Sequence, residues 1–386
     1  MNRLSSRTVI SAATILLTLV VISSVVSAIS ASWGQYSFGS LLPPGKYSAY
    51  TKFPMSATPT DPWYSWVWDQ TSSNGRVLRY DGASNSWAAL TTGQDEGYPT
   101  PREGACWAQT MENLLNQRRL LLFGGKRTDD GSLSQEWNVF NLATLKWEMK
   151  RTSGNPPSPR WYMGCDSILQ TSFCNPNCQK AVFYGGWDAN KNGVDSNHAY
   201  ALRWDTVTWT SWQLTSGTPP VARGDFAMIT ADPNNNRVYV WGGKSGSTYY
   251  TNPAWIAIGG DGYHASADNG DAPTARAGMS VAVAFHAETS RSGWVMYGGY
   301  SGGGETTSDN FYNMQVNADV NVFTWAQFVK GGTWPPATRN AIFVCAGLGS
   351  DQTYNRCKQT PGYQTRYTLV PLYSQNTSFW RVTATF

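Results

Sequence analysis

Apolar and polar residues follow one another along this chain in short blocks rather than in helical periods. Four apolar blocks set the pattern: Leu120-Leu121-Leu122-Phe123, Ala181-Val182-Phe183-Tyr184, Val238-Tyr239-Val240-Trp241 and Trp294-Val295-Met296-Tyr297. Each runs into a glycine pair, Gly124-Gly125, Gly185-Gly186, Gly242-Gly243 and Gly298-Gly299. Consecutive β-forming residues closed by two glycines predict a buried strand ending in a turn with no room for side chains. After each pair comes a polar loop, then a short segment closing on Asp or Asn, then a Trp segment. Phe140-Asn141 precedes Trp147, Trp204-Asp205 precedes Trp209 and Trp212, and Val316-Asn317 precedes Trp325; Tyr80-Asp81 before Trp87 repeats the pattern upstream. The Asp or Asn suits a turn, because its side chain can bond backbone two residues on, and the Trp suits the space between neighbouring sheets. The second glycines lie 61, 57 and 56 residues apart. That period predicts a ring or stack of β units.

A second marker precedes each glycine pair. Pro-x-x-Arg occurs at Pro99 to Arg102, Pro157 to Arg160, Pro220 to Arg223 and Pro273 to Arg276, and again at Pro336 to Arg339 with no glycine pair behind it. The first four arginines lead their glycine pairs by 22, 25, 19 and 22 residues, room for one strand, a loop and the apolar strand. Together, Pro-x-x-Arg, the apolar strand with Gly-Gly, and the Asp or Asn before Trp resemble the kelch repeat over nearly all of residues 33–386. The resemblance implies an all-β, kelch-type β-propeller, each repeat one four-stranded blade around a central channel.

Starts at Lys46, Arg102, Arg160, Arg223, Arg276 and Arg339 give six blades, with five or seven left open. The first unit is degenerate, with Lys46 for the arginine and Trp68-Asp69 where the glycines should stand. Trp33 lies 13 residues before Lys46, as Trp147 lies 13 before Arg160, so there is one Trp strand more than six blades require. The Trp33 segment is expected to complete the last blade, in competition with the Trp380 strand, so that strands from both termini close the ring and remove a sheet edge.

Composition agrees: only 14% of residues are charged, while Gly, Trp and Tyr number 37, 19 and 20, a profile of short aromatic strands joined by tight turns rather than of disorder. Residues 1–28 read as a secretory signal, with Arg3 and Arg7 before the apolar or small run Val9 to Val26 and small residues at Val26-Ser27-Ala28. The run is long enough that retention as an anchor stays open, so the expectation is a secreted or cell-surface protein. The formal charge of +4 falls by two without that segment, and no Lys/Arg cluster marks a nucleic-acid partner. No later apolar run is long enough to span a bilayer. Six cysteines suit disulfides. Cys174 with Cys178 and Cys345 with Cys357 would close local loops, leaving Cys106 and Cys165; zinc would need four well-spaced ligands. Asn376-Thr377-Ser378 is the only N-glycosylation sequon.

Candidate chemistry is thin. Copper-radical oxidases of the kelch-like superfamily need two His, two Tyr and a Cys–Tyr link, whereas His198, His264 and His286 are each isolated here. Glu103, Asp225 and Asp166 are carboxylates near marker arginines, where an ion pair is the simpler reading. No catalytic residue, metal ligand or cofactor is assigned. Arg102, Arg160, Arg223, Arg276 and Arg339 would converge near one channel mouth, where by resemblance to kelch adaptors they could hold an anionic ligand. The competing reading has each guanidinium bonding backbone carbonyls of its own or the next blade. The loops behind the glycine pairs differ from unit to unit, and Trp187, Tyr249, Tyr250 and Tyr300 are aromatics that, if exposed, could stack on sugars. These features predict a non-catalytic binding module recognising an extracellular protein or glycan by loops at one face. The alternative is a carbohydrate-active enzyme, oxidase- or epimerase-like, with its site at the channel mouth.

Overall fold

The computed structural model describes residues 29–37, 47–50, 64–69, 76–81, 86–90, 98–109, 119–148, 151–170, 178–195, 197–203, 206–217, 219–232, 237–257, 262–286, 291–317, 322–345, 358–359, 364–370 and 378–385. All regular elements among them are β-strands. Six sheets among these residues have four or more strands. The first runs Tyr47–Tyr50, Tyr64–Asp69, Arg76–Asp81, Ser86–Ala89, and the second Cys106–Gln109, Arg119–Phe123, Trp137–Asn141, Lys146–Glu148. The third is Gly164–Gln170, Cys178–Tyr184, His198–Arg203, Thr208–Gln213, with Ser153–Gly154 added along its outer edge. The fourth is Ala227–Asp232, Arg237–Trp241, Ala254–Ala257, Tyr263–Ala265. The fifth is built on Ala277–His286, Arg291–Ser301, Phe311–Asn317 and Val322–Gln327. The sixth is Ile342–Cys345, Gln364–Val370, Ser378–Thr385 and, outermost, Ser30–Ser37.

The first strands of successive sheets lie side by side in chain order. The chain is therefore an all-β propeller, its sheets radiating from a shared axis. The glycine-pair strands are second in their sheets and almost wholly buried, as the apolar blocks require. The N-terminal strand pairs antiparallel with the C-terminal one, Trp33 opposite Val382. Trp33 and Trp380 do not compete: the Trp380 strand is third and the Trp33 strand fourth, so both termini complete one sheet.

The core is a series of layers between neighbouring sheets. Phe123 of the second sheet meets Phe183 and Trp209 of the third, with ring centroids 5.5 and 5.0 Å apart. Trp241 of the fourth meets Trp325 of the fifth at 5.2 Å, and Trp33 of the sixth meets Tyr297 and Phe311 of the fifth at 5.3 and 5.4 Å. Each fully buried large apolar side chain contributes roughly 2–3 kcal/mol, so these layers hold the sheets together. Cys106 and Cys165 are bonded, their Cα atoms 6.0 Å apart, tying the inner strands of the second and third sheets. The pairings Cys174–Cys178 and Cys345–Cys357, the Asn376 sequon and residues 1–28 fall outside the described residues and side chains.

Candidate functional site

In the second, third and fifth sheets a single arginine joins the two recurring motifs. Arg160 Nη1 donates to the carbonyl of Gly185 in its own sheet at 3.0 Å, while its backbone carbonyl accepts from Gly125 N of the preceding sheet at 2.8 Å. Arg102 and Arg276 repeat the first bond with Gly124 and Gly298, both at 3.2 Å. In all three the Nε bonds the carbonyl two residues earlier, that of Thr100, Ser158 or Thr274. The glycines are needed because this turn presses on its neighbour: Gly185 has φ +58°, and a Cβ there would lie 2.7 Å from the carbonyl oxygen of Arg223. Arg102 also reaches Ser134, Glu136 and Asn138, and burial pulls its pKa down to about 10 against the opposing pull of Glu136. Burial also lowers Arg223 and Arg276. Arg223 donates to Asn252 O and lies over the Tyr250 ring at 5.5 Å. These four guanidiniums are buried and directed into the blades.

Arg339 differs, and backbone register gives the reason. The carbonyls of Arg160, Arg223 and Arg276 accept from the second glycine of the preceding sheet, but Gly299 N donates to Thr338 O at 2.9 Å. Thr338 thus occupies the arginine position, and Pro335, not Pro336, begins the motif. A second chain of bonds agrees: Tyr162 N donates to Gly104 O, Asp225 N to Tyr162 O, Gly278 N to Asp225 O and Asn340 N to Gly278 O. The sequence reading of Arg339 as a fifth marker is corrected by one position. Its side chain is 39% exposed, where those of Arg102 and Arg160 are 0% and 1%.

The residue after each arginine faces the residue after the glycine pair. Glu103 pairs with Lys126, Trp161 with Trp187, Gly224 with Lys244 and Ala277 with Tyr300. These pairs differ in chemistry while the arginine and glycines beneath them repeat. They gather most densely at Lys244, a buried side chain whose Nζ donates to Glu305 Oε1 at 2.5 Å. The other carboxylate oxygen accepts from Arg339 Nη1 at 2.7 Å. The Lys244 ammonium lies 5.7, 5.5 and 5.1 Å from the rings of Trp187, Tyr249 and Tyr300. The bond from Lys244 is the main reason the Glu305 carboxyl is held below its ordinary value.

Of the aromatic candidates, the structure brings Trp187, Tyr249 and Tyr300 together here and leaves Tyr250 apart beneath Arg223. The exposure on which sugar stacking was conditional is not met by Trp187 and Tyr300, which are 2% and 4% exposed and fold back into the propeller. Trp187 packs against Trp161 and Tyr162 and donates its indole N–H to Lys244 O; Tyr300 donates its hydroxyl to Asp225 Oδ2 at 2.7 Å. Burial pushes Asp225 up to about 6, partly offset by that bond, and pushes the Tyr300 hydroxyl well up. Lys244 and Glu305 were not singled out by sequence reasoning. The usable signal was position, since Lys244 follows Gly243 as Trp187 follows Gly186 and Tyr300 follows Gly299.

Glu103 accepts from Tyr162 Oη at 3.1 Å. His198 lies against Asp195 and Asn197, and His264 stacks on Trp255 at 3.6 Å. Among the described residues no group of three or more His, Cys, Asp or Glu is placed to hold a metal ion.

No family model matches the chain. It is 24% identical over 183 residues to the Rab9 effector protein with kelch motifs of Xenopus laevis, covering 47% of this chain and 39% of that protein. This propeller has a kelch-motif relative. It is also 29% identical over 213 residues to acyl-CoA-binding domain-containing protein 4 of Arabidopsis thaliana, covering 55% of this chain and 28% of that one. A similar match to acyl-CoA-binding domain-containing protein 5 covers 26% of its length, so the chain spans well under half of each of these relatives.

Proposed function

We propose that this chain is a protein-binding propeller whose partner sits on the face where the Pro-x-x-Arg segments and the glycine-pair loops meet. One observation carries the reading: the paired positions Glu103/Lys126, Trp161/Trp187, Gly224/Lys244 and Ala277/Tyr300 vary in chemistry above a scaffold that repeats. Positions shared by every repeat serve the fold, so selectivity belongs to the loops that leave these varied positions at one end. The kelch-motif relative supports a protein partner. Residues 1–28 and the Cys106–Cys165 bond favour an extracellular setting for it.

The test is to pass the purified protein over an array of extracellular proteins and glycans beside two variants. Lys126→Glu alters the proposed face; Leu145→Asn alters the turn at the other end of strand Trp137–Asn141, at a residue whose φ of 56° suits Asn. The expected result is a protein ligand lost or weakened at least about tenfold by Lys126→Glu and kept by Leu145→Asn, as for a charge at the edge of a binding face. Equal binding by both variants, or glycan hits alone, would count against it.

A further inference from the structure

We infer that Asn269 is a site of self-modification, where the chain converts its own amide to aspartate and isoaspartate, and that this conversion loosens the seam between the fourth and fifth sheets. The chemistry needs an asparagine whose side-chain carbonyl carbon is within reach of the next backbone N–H, and glycine is the following residue that obstructs it least. The chain holds three Asn-Gly steps. Asn74-Gly75 lies outside the described residues, whereas Asn192-Gly193 and Asn269-Gly270 lie within them. Both described asparagines are exposed, so neither sequence nor access to water separates them.

Their hydrogen bonds separate them. Gly193 N donates to Ser245 Oγ at 2.9 Å, and Asn192 is held by Asp188, whose carboxylate accepts from its backbone N–H at 2.9 Å and from its side-chain amide at 3.4 Å. Gly270 N instead donates to Asn269 Oδ1 at 2.9 Å, which holds the nucleophilic nitrogen against the carbonyl group it must attack. The fold also fixes glycine at this place: Gly270 has φ +74°, and a Cβ there would lie 2.2 Å from the Trp325 carbonyl oxygen. Loss of the Gly270 N–H proton to hydroxide lets the nitrogen bond Cγ of Asn269. The Cγ–Nδ2 bond breaks, the amide nitrogen takes a proton from water and leaves as ammonia, and a succinimide ring joins the two residues. Water then opens the ring at either carbonyl, giving aspartate or, with the main chain rerouted through Cγ, isoaspartate.

The neighbouring residues give this conversion a consequence. Asp268 accepts the indole N–H of Trp241 in the fourth sheet at 3.3 Å and that of Trp325 in the fifth at 2.6 Å. Its strand, Ala267–Gly270, lies parallel along the fifth sheet with Asn269 opposite Thr324. Isoaspartate inserts a backbone carbon directly after Asp268 and sets a new carboxylate between Asp268 and Asp271 in the chain. Shifted register and like-charge repulsion both then work against the carboxylate that holds the two indoles.

The experiment incubates the full chain in mildly alkaline buffer and follows its tryptic peptides by mass spectrometry, with isoaspartate marked by methyltransferase labelling. Cleavage after Lys191, Arg203, Lys244 and Arg276 separates residues 192–203 from residues 245–276. Asn252, in the second peptide, precedes Pro253, which has no N–H to attack. The 245–276 peptide should gain the acid at least about tenfold faster than the 192–203 peptide, because misplacing reacting atoms by about 1 Å costs about a hundredfold. The rate should rise with pH, and incubation in denaturing urea should bring the two peptides to similar rates. Asn269→Gln should silence the 245–276 peptide and keep its own urea midpoint through the incubation, while the midpoint of the natural chain falls as the isoaspartate label accumulates. Equal or faster conversion at Asn192, or no conversion at Asn269, would overturn the site; conversion with an unchanged midpoint would overturn the loosening.

Discussion

A guanidinium taken out of water needs its five N–H groups met, and Arg160 meets most of them with Ser158, Gly185 and Asp195. Hydrogen bonds to a charged group contribute about 1.5–3 kcal/mol each, and removing the arginine strands the Gly185 carbonyl. Arg160→Met should therefore lower stability by roughly 3 kcal/mol in urea unfolding, whereas Arg339→Met, at a partly exposed ion pair, should cost less than about 1 kcal/mol. Equal losses would contradict the one-residue offset of the last motif. Asp225 makes a prediction in pH. Its folded pKa of about 6 stands above the ordinary value of 3.8, so the native state holds the proton more tightly than the unfolded chain. Stability tied to this group is full below about pH 4 and falls as pH rises to about 6, by up to about 3 kcal/mol at 1.36 kcal/mol per pKa unit. Urea midpoints measured across that window should decline in the natural protein and decline less in Asp225→Asn; parallel curves would show that Asp225 is not the group responsible. The arginines and Tyr300 were legible in the sequence because they recur or stand out. Glu305 was not, because its importance arises from Lys244 and Arg339, residues that only the fold brings beside it.

At the scale of elements, the apolar blocks announced their strands because four β-formers before two glycines have few other uses, and Leu120 to Phe123 is buried as that pattern required. The last motif was misframed for a simple reason. Pro335-Pro336 offers two starting points, and an arginine three residues after the second drew the reading there, while the backbone bond from Gly299 to Thr338 fixes the first. The closing strand could be foreseen as a surplus Trp segment, but its place outside the Trp380 strand depends on pairing that sequence spacing does not set. Between the second and third sheets, the Cys106–Cys165 bond spans 59 residues. A closed loop of that length is worth about 4 kcal/mol by chain entropy. Replacing both cysteines with Ala should lower the urea midpoint accordingly, with the natural protein under reductant falling at least as far; an unchanged midpoint in the double variant would mean that the sheets are held by the Phe123, Phe183 and Trp209 layer alone.

The molecule as a whole separates a repeated scaffold from a varied end. Arginines and glycines stitch sheet to sheet, and the residues that immediately follow them differ from sheet to sheet and open the loops of one end, so one architecture can carry many selectivities without changing its repeated scaffold. Fold could be read from the sequence because it is written several times over; the ligand could not, because each loop is written once. Hydrogen–deuterium exchange of the chain with and without its array-identified protein ligand tests the central claim most directly. The predicted result is new protection in 126–136, 187–195, 244–252 and 300–309, with the turns at 142–145 and 206–207 unchanged. Protection confined to those turns, with the glycine-pair loops exchanging as before, would contradict it.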